Sequence, residues 1–348
     1  MMLLVLALLG LPVKALAAEI SPSPWSCLIR RTDFIPAEEE LRRLSFSLQM
    51  MKASPLLKVL DQNGKVTDQC SSSVVSDAGH ILTVGHCLEG CLERAGAYRE
   101  LPGFSEPDPV KLKQVNCTVE INGQRTSVKV LGISKCRRGQ RFAPGATVNC
   151  KGSDFAILEL RDPSVNSKAC LKVSQRALRP GDGVAAIGYP VKTRRTLNRE
   201  YARDSDGVGQ FVSTGQVIPL ITRCFRKVDV NPIPSSEQPG FEKFSEEQTF
   251  ANVQEWVRSG ALIQSTVDIQ KRSSGGPLLL ESTGELVGVA TLVAHENWEN
   301  TECEGSSFFS TMGMIHQQLH EDFPQIDTKK VFGCLYNSVQ RRTQQTDL

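Results

Sequence analysis

The sequence predicts an all-β protein, and two observations carry that reading. From Leu56 onward short apolar runs alternate with turn signals: Leu57-Lys58-Val59-Leu60, the turn Asp61-Gln62-Asn63-Gly64, Ser73-Val74-Val75 and His80-Ile81-Leu82 read as a β-meander. Helical spacing shows only near the ends, at Leu41, Leu44, Leu48 and Met51 and again at Met312, Ile315 and Leu319. The chain has 348 residues, 40% of them hydrophobic. Without its first stretch about 330 residues remain, enough for one large all-β domain or two smaller ones. Its net charge is +2, with the lysines and arginines scattered, so no nucleic-acid partner is expected; the basic piece Lys192-Thr193-Arg194-Arg195 reads as solvated loop.

In chain order, residues 1–18 are mostly Leu, Val and Ala and end in Ala15-Leu16-Ala17, a small-x-small pattern suited to signal-peptidase cleavage. They predict a secretory signal and an extracellular or periplasmic protein. A membrane anchor is the competing reading, but the apolar run is too short, and no later stretch spans a bilayer. Residues 19–55 form an N-terminal extension. Pro36-Ala37-Glu38-Glu39-Glu40 looks like a helix start, and the leucine stripe after it predicts an amphipathic helix packed on the body, with a removable propeptide as the alternative. The main domain is placed at 56–325, with a cysteine-bearing insertion at 88–153 read as stapled loops, and a tail at 326–348. Residues 227–247 read as a surface loop.

The chemistry centres on Lys271-Arg272-Ser273-Ser274-Gly275-Gly276-Pro277-Leu278, a polar turn leading into an apolar run. A serine before two glycines suits a hydroxyl nucleophile, because glycines let a substrate backbone approach and leave amide hydrogens facing it. Such a hydroxyl needs an imidazole to take its proton and a carboxylate to orient that imidazole. His86 ends the stretch Ile81-Leu82-Thr83-Val84-Gly85-His86-Cys87, and Asp154 opens the alternating strand Ser153-Asp154-Phe155-Ala156-Ile157-Leu158. His80 lies on a strand six residues earlier and is expected on its outer face.

These three phrases, in the order His, Asp, Ser, resemble the chymotrypsin/trypsin-like serine proteases. Leu178 to Pro190, Ser213-Thr214-Gly215-Gln216-Val217 and Leu262-Ile263-Gln264-Ser265-Thr266 are most similar to HtrA-type and related bacterial members. The resemblance runs in pieces from Leu56 to Ile315; the residues after the C-terminal helix are too few for a PDZ module. It implies two six-stranded antiparallel β-barrels, with the helical extension before them and a C-terminal helix after. It also implies a protein or peptide substrate, and catalysis by His86, Asp154 and Ser274 without cofactor or metal. The oxyanion hole would be the amides of Ser274 and Arg272, the latter standing where the family usually has glycine. An N-terminal ion pair is not expected, since Ser273 replaces the aspartate that receives a freed terminus and no Ile-Val-Gly-Gly-like site precedes Leu56.

Asp268 stands where trypsin-like enzymes carry the acid selecting Arg or Lys, while its surroundings also match the apolar pocket of HtrA-type sequences. Thr291 and Val293 fall on the pocket walls. Eleven cysteines after a secretion signal favour disulfides, and the spacing of Cys87 and Cys91 has no matching second half for zinc. The resemblance implies a Cys70–Cys87 bridge beside the histidine, and a Cys27–Cys170 link tying the extension to the body. Asn116-Cys117-Thr118 is a glycosylation sequon that matters only in a eukaryotic secretory pathway, and its half-buried cysteine counts against use. A catalytically silent protease-like binding domain is the alternative function.

Overall fold

A computed structural model of the chain describes residues 35–36, 48–101, 104–134, 153–165, 169–190, 209–219, 256–267, 269, 272–293 and 307–334. Residues 1–18, expected as a secretory signal, the segments 192–195 and 227–247, expected as loops, Cys27, Asp268 and the side chain of Val293 lie outside the described residues.

Strand β1 is Ile35–Pro36, followed by helix α1 at Leu48–Lys52. The first sheet then takes β2 (Leu56–Leu60), β3 (Val66–Ser71), β4 (Ser73–Val74) and β5 (His80–Thr83). After helix α2 (Glu89–Arg94), the hairpin of β6 (Tyr98–Leu101) and β7 (Phe104–Pro107), and helix α3 (Pro109–Leu112), the sheet is completed by β8 (Asn116–Ile121), β9 (Gln124–Ile133) and β10 (Ala156–Leu160). The spatial order is β3-β2-β8-β9-β10-β5-β4. Only Ser72 separates β3 from β4, so together they act as one bent strand at both ends of that order, and six strands curl into a barrel.

The second sheet contains β11 (Gly183–Gly188), β12 (Phe211–Ile218), β13 (Leu262–Ser265), β14 (Pro277–Leu280), β15 (Leu286–Val293) and β16 (Ser307–Thr311). Its order is β12-β11-β14-β15-β16-β13, and β13 pairs back onto β12, closing six antiparallel strands. The fold is the chymotrypsin-like double barrel that the resemblance implied. Each strand feeds its barrel by alternation: along β8, Cys117, Val119 and Ile121 are buried while Asn116 and Thr118 are exposed. Helix α4 (Met312–Asp322) follows β16, capped by the Thr311 hydroxyl accepting from the Met314 amide, and buries Met312, Ile315 and Leu319 at helical spacing.

Five expectations are corrected. Pro36 does not sit in the first turn of a helix: with Ile35 it pairs with Phe211 and Val212 as an edge strand, a place where a missing N–H costs no ladder bond, while Ala37-Glu38-Glu39-Glu40 and the rest of that stretch up to residue 47 lie outside the described residues. Residues 88–153 are not an insertion around the barrel, because they supply β8 and β9, two of its six strands. Cys170 pairs with Cys334 rather than Cys27, and Cys91 pairs with Cys117. The first part of the supposed tail therefore belongs to the body: helix α5 (Thr328–Val331) buries Val331, and the Cys334 bridge ties it down. Finally, His80 is buried at 1% exposure, its Nδ1 2.6 Å from the Ser76 hydroxyl and its Nε2 3.9 Å from Glu159, its cross-strand partner.

Candidate active site

His86 sits in the 3-10 turn Gly85–Leu88 that ends β5, and Cys87 beside it is bridged to Cys70 at the end of β3. This is the disulfide that the resemblance implied. Asp154 precedes β10, which pairs with β5 so that Ala156 faces Thr83. That register brings imidazole and carboxylate together. The Nδ1–H of His86 donates to Asp154 Oδ2 at 2.6 Å, with the two side chains 12% and 18% exposed. A carboxylate partner on Nδ1 fixes the tautomer, and Nε2 keeps its lone pair for a proton.

The carboxylate is itself held. Its Oδ1 accepts from the Gly85 amide at 2.6 Å and from the Ser134 hydroxyl at 3.5 Å. The Asp154 amide donates to Ser310 Oγ at 3.1 Å, and Ser310 Oγ lies 2.8 Å from Thr291 Oγ1. Thr291, expected on a pocket wall, uses its hydroxyl to donate to the Val289 carbonyl and to accept from the Ser310 amide. A second acid, Asp68, shares the inner face of β3 with Cys70. Burial pushes its carboxyl above the ordinary value, and the Thr67 hydroxyl and His86 pull it back.

Ser274 reaches the same cleft through its main chain. The Ser71 amide, next to Cys70, donates to the carbonyls of both Ser274 (2.9 Å) and Arg272 (3.0 Å), and the Ser71 hydroxyl donates again to Arg272 at 2.9 Å. The Tyr189 amide donates to Ser71 Oγ at 3.0 Å. One serine of the first barrel thus clamps the Arg272–Ser274 turn and the end of β11 in the second. Gly275, at φ +85°, presses against the Ser71 carbonyl and Thr83 Oγ1 so closely that a Cβ would overlap both. Arg272 has φ +76°, the left-handed conformation that a glycine takes without strain. Among the described residues, the amides of Arg272 and Ser274 donate to no oxygen, and the Ser274 hydroxyl makes no hydrogen bond to His86.

His86 lies with Cys70 and Cys87 in a potential metal-binding cluster, as Asp77 does with Cys170 and Cys334. Both sulfur pairs are spent in disulfides and offer no thiolate. Sequence reasoning missed Ser71, Ser134 and Ser310. Only Ser71 had a local signal, a hydroxyl directly after the cysteine expected to bridge beside the histidine.

No curated protein matches the chain. A serine endoprotease from Yersinia pestis is similar in structure at a TM-score of 0.42 and 17% identity, over 82% of this chain and 67% of that one. The sequence pattern of the trypsin-like peptidase domain matches residues 70–289, a span that includes His86, Asp154 and Ser274. The chain therefore belongs to the family of trypsin-like peptidase domains.

Proposed function

We propose that the protein is a secreted serine endopeptidase working through His86, Asp154 and Ser274. The observation that carries this reading is the 2.6 Å contact between His86 Nδ1 and a carboxylate already anchored by Gly85 and Ser134. When a peptide carbonyl arrives, Nε2 takes the Ser274 proton as Oγ bonds to the carbonyl carbon, and Asp154 stabilises the charged ring. The imidazolium then gives that proton to the leaving amine, and water attacks the acyl-enzyme by the same route. The Arg272 and Ser274 amides would receive the oxyanion. In this mechanism the Ser274–His86 hydrogen bond tightens as substrate binds.

The predicted signal and the disulfides Cys70–Cys87, Cys91–Cys117 and Cys170–Cys334 support an oxidising compartment. Ser273 in place of an aspartate supports an enzyme that matures without a buried N-terminal ion pair. Asp268 makes cleavage after Arg or Lys the specificity to test first. Peptides differing only at the residue before the cut decide it, because equal turnover of Arg and Leu substrates rules the acid out.

A second reading, a protease-like domain that binds protein without cutting it, is favoured by one observation: Arg272 bears a side chain at φ +76°, in the turn that must aim an oxyanion donor. A fluorophosphonate probe separates the two readings. Labelling of the folded wild type, lost in Ser274→Ala, supports the enzyme; a folded wild type that stays unlabelled supports the binding domain.

A further inference from the structure

We propose that Asn116 is an acceptor for an N-linked oligosaccharide, carried on the end of the first barrel away from the catalytic cleft; this rests on the secretory reading above. Asn116-Cys117-Thr118 is the single Asn-x-Ser/Thr triplet of the chain. From sequence, the half-buried cysteine at its centre counts against its use. The structure removes that objection, because β8 alternates: Cys117 turns inward to its disulfide with Cys91, while Asn116 and Thr118 share the exposed face.

The side chain of Asn116 is presented in a usable way. Arg161 holds its carbonyl oxygen, with Nε at 3.2 Å and Nη2 at 2.7 Å from Oδ1. Its Nδ2 has only a 3.4 Å contact with the Gln114 carbonyl. In the transfer, Nδ2 loses a proton and bonds to the anomeric carbon of a polyprenyl-diphosphate oligosaccharide. The bond from that carbon to the diphosphate breaks, and the diphosphate leaves with the electron pair. Oδ1 is untouched, so the grip of Arg161 survives the modification. Beside Asn116 an open hollow bordered by Gly96, Lys111 and Gln114 gives the first sugar a surface to rest on.

The position leaves the cleft free. Asn116 faces Lys129 on β9, which faces Glu159 at the far end of β10. Asp154 lies five residues before Glu159, on the order of 16 Å of extended chain.

The test is to produce the full chain in cultured eukaryotic cells, once with its own first 18 residues and once with a proven secretion leader, and treat it with peptide N-glycosidase. The expected result is a mobility shift on treatment, with Asn116 converted to aspartate in its peptide. Asn116→Gln and Thr118→Ala should each abolish the shift while fluorophosphonate labelling is unchanged. Leader-driven, folded, secreted protein with Asn116 unmodified overturns the proposal. If the leader-driven form is glycosylated while the native form stays inside the cell, the glycosylation site stands and the secretion reading fails.

Discussion

Arg272 and Asp154 show how single residues divide between strain and chemistry. A non-glycine residue in the left-handed region costs about 1–2 kcal/mol. That cost persists at Arg272 because its carbonyl accepts from both the amide and the hydroxyl of Ser71. Arg272→Gly removes the strain but returns some chain entropy to the unfolded state, so a net gain of about 0.5–1 kcal/mol is expected in urea unfolding, with turnover no lower than wild type. A loss of stability would mean that the arginine side chain contributes more than its backbone costs. For Asp154→Asn the expected effect is kinetic: kcat falls by roughly 10⁴, because the amide presents the wrong partner to Nδ1 and the ring loses the tautomer that the reaction needs. Both positions were readable from sequence, as each sits in a local phrase. The hydroxyls supporting Asp154 were not: Ser134 comes beside it through the pairing of β9 with β10, and Ser310 arrives from β16 of the other barrel.

Among elements, β5 links the back of the first barrel to the active site, since His80 opens it and His86 follows its end. Burial holds the His80 imidazole below its ordinary pKa; nearby Glu159 opposes the shift and Lys330 adds to it. Burial lowers His316 as well, beside Gln175 and the ring of Phe332. The sign follows from proton counts. Below about pH 6.5 the unfolded chain protonates these histidines while the folded chain resists, so stability is full above that pH and declines as pH falls toward the lowered folded values. His80→Asn keeps an acceptor near Ser76 and cannot charge. Its unfolding free energy should therefore fall less steeply between pH 7 and 5 than wild type, leaving the share due to His316. An unchanged slope would place the titration elsewhere. The burial of His80 was not legible because strand alternation gives a face but not what covers it. Helix α5, tied to the body by the Cys170–Cys334 bridge, brings Lys330 within 3.9 Å of Glu159, the cross-strand partner of His80. For β8, by contrast, the alternation of Asn116 to Ile121 was present in the sequence. The cysteines there were weighed as loop staples, although Cys117 is an inward-facing strand residue like Val119 and Ile121.

At the scale of the whole molecule, two barrels, one closed and one nearly so, are held in one relative position, and Ser71 is the residue through which that position reaches Ser274. His86 and Asp154 belong to the first barrel and are joined within it, whereas Ser274 arrives from the second through a turn that Ser71 grips by amide and hydroxyl. Ser71→Ala keeps the amide donor but removes the hydroxyl, and with it the Ser71 Oγ contact of the Tyr189 amide and one of the two Ser71 donors to the Arg272 carbonyl. Losing such a contact costs about 1–3 kcal/mol, which both barrels, with cores built on Leu57, Ile81, Phe155, Leu278 and Phe309, can absorb without unfolding. The expected outcome is a modest fall in stability, fluorophosphonate labelling slowed more than tenfold, and the downfield proton resonance of His86 Nδ1 retained, since the imidazole–carboxylate pair does not depend on Ser71. Labelling at the wild-type rate in a destabilised variant would show that the turn holds Ser274 without help from the first barrel. Loss of the His86 resonance would show instead that Ser71 acts within that barrel, and the division of labour between the two halves would have to be redrawn.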